Sequence, residues 1–128
     1  MTTIEGLAAA LAGERVEAVL AASWDVLDLA QRVADAVTWA EGFDEVHAMA
    51  AAEACATGMA GLLPPGDGQP VEVPSDPVAA VAPCVELLEL TARRLIAVAQ
   101  REPAAAPLLR EVAGHAAGAG RALSAVRS

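Results

Sequence analysis

Between residues 14 and 41, apolar side chains recur at alternating steps of four and three residues, with charged side chains at the opposite positions. This period is typical of an amphipathic α-helix that packs one face against other elements, and it constrains the fold more than any other feature of the chain. Comparable signals elsewhere complete the pattern. The sequence predicts helices at about 3–12, 14–41, 44–63, 84–101 and 104–126.

We find no strand pattern and predict an all-α fold, a four-helix-bundle-like single domain over residues 1–128 with a short N-terminal helix. The segment 64–77, PPGDGQPVEVPSDP, holds five of the eight prolines and is predicted to be a solvated linker between the second and third long helices. Short connections at 42–43 and 102–103 predict two antiparallel hairpins. The length of the linker leaves their relative direction open.

The charge of the chain excludes several classes of partner. Acidic residues number 17 against 8 basic residues, all of them arginine, for a formal net charge of -9. Because phosphate contacts need clustered basic side chains, we expect neither nucleic-acid binding nor docking on an anionic membrane. The longest stretch without charged residues or histidine, 54–66, is shorter than the ~20 residues that cross a bilayer. With no signal-peptide pattern at the N-terminus, we expect a cytoplasmic protein.

Alanine richness limits what the core of one chain can contribute. Apolar residues make up 55% of the sequence, yet aromatic residues make up only 2%. A buried Leu or Val side chain contributes about 1.5–3 kcal/mol, whereas an alanine methyl contributes under about 1 kcal/mol. Since a subunit interface would add burial, we expect a homodimer or a complex with a protein partner. The predicted function is a non-catalytic helical interaction or scaffolding module, self-associating or an accessory subunit of a larger assembly.

Two tryptophans are candidates for an interaction surface. Trp24 and Trp39 both fall on the charged face of the first long helix, with Asp28 and Asp35 between them. Exposed tryptophans mark surfaces that bind partners. The alternative is that neighbouring residues of the same chain fold over them.

Small residues suggest a second kind of contact. Ala51, Ala54 and Gly58 share one face of the second long helix, and Gly114 and Gly118 lie on the last one. Such residues permit close approach of two backbones, either within the bundle or between subunits. The second long helix is apolar or small nearly all round, which is typical of a helix that is central or lies in an interface.

An alternative function uses three ionisable residues. Glu53 falls among the large apolar side chains of its helix, and an unpaired buried charge costs several kcal/mol unless it is neutralised. In this alternative the chain is a small enzyme or ligand-binding protein with a pocket between helices. Glu53 transfers a proton there, and His47 or His115 orients or relays it. Otherwise Glu53 faces water or pairs with an arginine, and the histidines pair with Asp44 and Glu111 on the helix surface.

No motif for a metal or a cofactor is present. The sequence contains no zinc-binding, phosphate-loop or nucleophile-elbow pattern. Cys55 and Cys84 form no C-x-x-C motif, and we expect them to be small buried residues. A small-molecule ligand is expected only if the pocket alternative holds.

Overall fold

The computed structural model describes residues 3–64 and 71–126, and within these ranges it contains helices and no β-strand. This confirms the all-α prediction. The five helices are packed together and are α1 (Ile4–Ala12), α2 (Val16–Val37), α3 (Glu45–Ala60), α4 (Pro77–Arg101) and α5 (Ala106–Ser124).

The packing order of the helices defines which faces remain on the surface. Both α3 and α4 pack against α2 and against α5, while α1 lies against α2 and α4. Leucine and valine side chains of α2, α4 and α5 fill most of the core. By contrast, α3 contributes only small buried residues, which are Ala48, Ala51, Ala52, Cys55 and Gly58.

Two residues, Gly42 and Asp44, define the turn between α2 and α3. Gly42 has a φ of 81°, a left-handed value that favours glycine. Asp44 is the N-cap of α3, since its side chain accepts hydrogen bonds from backbone N–H groups in the first turn. The Asp44 N–H also donates to the Val126 carbonyl at 2.7 Å, which ties this turn to the end of α5. The helix α2 ends at Val37, a few residues before the predicted end.

The start of α4 differs from the prediction. It begins at Pro77 rather than at about residue 84, and Pro83 lies inside it. Asp76 caps the helix by accepting a hydrogen bond from the Ala79 N–H at 3.2 Å, and proline is favoured at the first helical position. Pro83 removes the hydrogen bond to the Ala79 carbonyl, but Ala79 is exposed, so water can satisfy that carbonyl.

The prediction of a solvated linker is wrong for Val71. Residues 65–70 lie outside the described part of the chain. Val71 is 1% exposed and belongs to the hydrophobic core, so this residue is not solvated. Glu72, Ser75 and Asp76 are exposed, so only part of the stretch from residue 71 to α4 packs onto the helices.

One arginine fixes the N-terminal helix to the rest of the chain. Leu7 and Leu11 of α1 are buried. Arg94 of α4 donates from Nε to the Leu11 carbonyl at 2.7 Å and from Nη2 to the Gly13 carbonyl at 2.8 Å. Carbonyls at the end of a helix lack partners within it, so Arg94 satisfies the last turn of α1 and the residue after it.

Candidate functional site

The solvent-facing side of α3 is unusually apolar. Val46 is 70% exposed and Met49 is 56% exposed. Glu53, Ala56 and Ala60 follow at helical spacing and are also exposed. We call these five residues the α3 outer face. The sequence left open whether Glu53 is buried or faces water, and in the structure its side of α3 faces water, because α3 turns its smaller residues towards α2 and α5.

Trp39 is a further exposed apolar residue, a few residues before α3 begins. It lies in the turn that leads from α2 to α3 and is 78% exposed. Phe43, in the same turn, is partly buried and packs against the core. Trp24 is half-buried on α2, so the two tryptophans are not equivalent. Only Trp39 presents most of its ring to solvent.

The small residues of α3 are used for packing inside the chain. Ala51 and Gly58 are buried, and Ala54 is half-buried. A Cβ atom on Gly58 would lie 3.2 Å from Leu27 Cδ1 and 3.4 Å from His115 Cβ. Close approach to α2 and α5 therefore accounts for these residues, and the buried ones offer no surface to a partner.

Asp44 and His47 form a surface pair at the start of α3. His47 Nδ1 lies 2.7 Å from Asp44 Oδ2. The side-chain hydrogen bond with His47 lowers the pKa of Asp44 from its ordinary value, and backbone hydrogen bonds act in the same direction. Because the same carboxylate caps the helix, the pair has a structural explanation.

The two histidines of the pocket alternative, His47 and His115, lie at different places in the fold. Glu53 and His47 are exposed, whereas His115 is half-buried where α5 meets α3 beside Gly58. His47 and Gly58 are separated by about 16 Å along α3. Within residues 3–64 and 71–126, no three His, Cys, Asp or Glu side chains lie together as a metal ion would require.

A groove between α4 and α5 is a second surface feature. Its volume is about 450 Å³, and we call it the α4–α5 groove. Gly114 was singled out in the sequence, but which faces of two helices meet is not encoded locally, so the groove itself was not predicted. Its lining residues are Ala92, Arg93, Ile96, Arg110, Ala113, Gly114 and Ala117.

The groove continues towards the end of α5. A further depression of about 300 Å³ shares Ala92, Arg93 and Ala117 with it and reaches Arg121. Neither depression is lined by Glu53, His47 or His115. The lining of the α4–α5 groove and its continuation thus combines small residues with arginines.

Both cysteines are buried free thiols, as the sequence predicts. Burial raises the pKa of Cys55 to about 12, with smaller contributions from Cys84 and Asp35. Burial likewise raises the pKa of Cys84 to about 11. Since the thiolate is the reactive form, these side chains are poor nucleophiles in the folded protein.

Comparisons of the chain with models of protein families, with curated proteins and with solved structures gave no significant match. None of the described helices has both the length and the apolar character needed to span a membrane.

Proposed function

We propose that this chain is a non-catalytic helical interaction module that self-associates through the α3 outer face and Trp39. One observation carries the proposal. The helix α3 is apolar on two sides, and the described part of the chain covers only one of them.

A helix that is apolar on nearly all sides, as α3 is, is either central in its domain or part of an interface. The exposure of Val46 and Met49 removes the first possibility for α3. Clustered exposed apolar side chains, with an aromatic anchor such as Trp39, are typical of protein-binding surfaces.

We further propose that α2, α3, α5 and α4 form a four-helix bundle on which this surface is mounted. In support, each of these four helices packs against two of the others. Residues on a packed helix keep their relative positions better than residues on a loop, which favours a defined interface. The segment from residue 64 to α4 would then link the two helical hairpins.

A cytoplasmic location is also part of the proposal. The two free thiols, Cys55 and Cys84, favour a reducing compartment. The net charge of -9 favours a protein partner over nucleic acid. If the chain is instead an accessory subunit, the same α3 outer face would bind a different protein. None of Glu53, His47 and His115 lines the α4–α5 groove or its continuation, so these depressions give no support to the enzyme alternative.

Sedimentation velocity over a wide concentration range tests the proposal. The wild-type chain should shift from monomer to dimer as its concentration rises. The double variant Val46→Lys/Met49→Lys should remain monomeric, because a dimer would bury the added charges. Leu63→Lys is the matched control, since Leu63 is 88% exposed just beyond the end of α3. A wild-type chain that stays monomeric throughout would refute self-association.

A further inference from the structure

The α4–α5 groove is basic, although the chain as a whole is strongly acidic. Arg93 and Arg110 line it, and Arg121 lies in its continuation. Among the described residues none of these three arginines forms an ion pair, whereas Arg32 pairs with Asp28 at 2.8 Å. The groove therefore receives a positive charge from each of its two helices, while the acidic Glu89 lines its continuation together with Arg93 and Arg121.

One residue that lines the groove, Gly114, is a glycine that packing within the chain does not explain. A Cβ atom on Gly114 would meet nothing within 4 Å. On Gly61, by contrast, it would lie 2.8 Å from Val112 Cγ2, so glycine is needed there. Glycine in a helix is about 1 kcal/mol less favourable than alanine. At Gly114 the chain carries this cost without a benefit to its own packing, but an approaching backbone would provide one.

We propose that the α4–α5 groove of one copy receives the α3 outer face of a second copy. This inference rests on the proposed self-association and names the surface to which the α3 outer face binds. The charges are complementary, because Glu53 is the one charged residue of the α3 outer face and α3 has no lysine or arginine. The surface that would enter the groove is also narrow, because Ala56 and Ala60 form the C-terminal part of the α3 outer face.

The dimensions of the two surfaces are comparable. From Arg110 to Arg121 the arginine-lined side of α5 spans about 16 Å, and from Val46 to Ala60 the α3 outer face spans about 21 Å, so the groove and its continuation could cover most of that face. Ile96 is 39% exposed in the groove and offers an apolar wall to the larger side chains of α3. Shape, hydrophobicity and charge thus favour the same pairing.

This pairing joins two different surfaces, and that property makes it testable. If α3 bound α3 of the second copy, a chain with a damaged α3 outer face could not pair with any other chain. If α3 binds the groove, a chain with a damaged α3 outer face still has an intact groove. Two chains that are damaged in different places can then form one intact contact.

The experiment mixes two monomeric variants and measures their mass by sedimentation velocity. One is Val46→Lys/Met49→Lys, which places positive charges against the arginines of the groove, and the other is Gly114→Gln, which fills the groove at a position where the chain leaves space. We expect each variant alone to associate at least tenfold more weakly than the wild type. We expect their equimolar mixture to form a one-to-one pair that keeps one of the two contacts of the wild-type dimer. Arg93→Glu/Arg110→Glu, which reverses the charge of the groove, should also associate weakly alone and should complement Val46→Lys/Met49→Lys at least as well as Gly114→Gln does, because its own α3 outer face is intact.

Circular dichroism and thermal unfolding establish that each variant is folded before mixing. If Gly114→Gln and the arginine variant both associate like the wild type, the groove is not the docking site. If both α3-damaged and groove-damaged chains are monomeric but their mixture does not pair, the inference is also overturned. In either case wild-type self-association survives, so failure of the inference is distinct from failure of the proposed function.

Discussion

Truncation of Met49 to alanine removes an apolar side chain from the α3 outer face and leaves the packing of the chain intact. Full burial of a methionine side chain contributes about 1.5–3 kcal/mol, and Met49 is 56% exposed, so covering it contributes about 1–1.5 kcal/mol. A symmetric dimer contains two copies, which gives about 2–3 kcal/mol for the pair. The dissociation constant should therefore rise about 30- to 150-fold.

Sedimentation equilibrium measures that dissociation constant directly. The free energy of unfolding of the dilute monomer should change by less than about 0.5 kcal/mol, since Met49 lies outside the core. Leu63→Ala is the control, because it removes a more exposed side chain beyond the end of α3 and should leave the dissociation constant unchanged. If Met49→Ala and Leu63→Ala dissociate alike, the α3 outer face is not the interface.

Four further predictions concern the chain itself and are checked by denaturation of the dilute monomer. Gly61→Ala should lower the free energy of unfolding by about 1–3 kcal/mol, because its Cβ would lie 2.8 Å from Val112 Cγ2. Gly114→Ala should raise it by about 0.5–1 kcal/mol, and a loss there would contradict the open space above this residue. Arg94→Met should cost about 1–3 kcal/mol through two lost hydrogen bonds to α1 and the loop after it, whereas the neighbouring Arg93→Met, which has no such partner, should cost less than about 0.5 kcal/mol. Asp44 contributes stability in its ionised form, because the hydrogen bond with His47 lowers its pKa below 3.8. That contribution is complete above pH 3.8 and is lost as the pH falls through the lowered value, so the advantage of the wild type over Asp44→Ala should shrink on acidification. An advantage that grows in acid would refute this account of the cap.

The hydrophobic period was sufficient to predict five helices but not which side of α3 is buried. Both sides of this helix are apolar, and the sequence leaves open whether the side with Glu53 faces the interior or water. The structure leaves that side, with Val46 and Met49, exposed and buries the opposite side, where a Cβ atom on Gly58 would lie 3.2 Å from Leu27 Cδ1. When two faces have similar hydrophobicity, the smaller one packs more closely, and this depends on neighbours that a local pattern does not specify.

The other differences also have non-local causes. Pro83 is a strong helix breaker in a local reading, but the exposed position of Ala79 allows the helix to continue through it. The α4–α5 groove combines Arg93 of α4 with Arg110 of α5, which are 17 residues apart in the sequence. Their proximity follows from how the two helices pack, which the period of each helix does not determine.

The central claim is that the α3 outer face is covered by another copy of the chain. Native mass spectrometry of the wild type and of Val46→Lys/Met49→Lys, recorded at the same series of concentrations, tests this claim most directly. The account predicts the mass of two chains for the wild type and the mass of one chain for the variant. A variant that retains the mass of two chains, or a wild type that never shows it, would contradict the account.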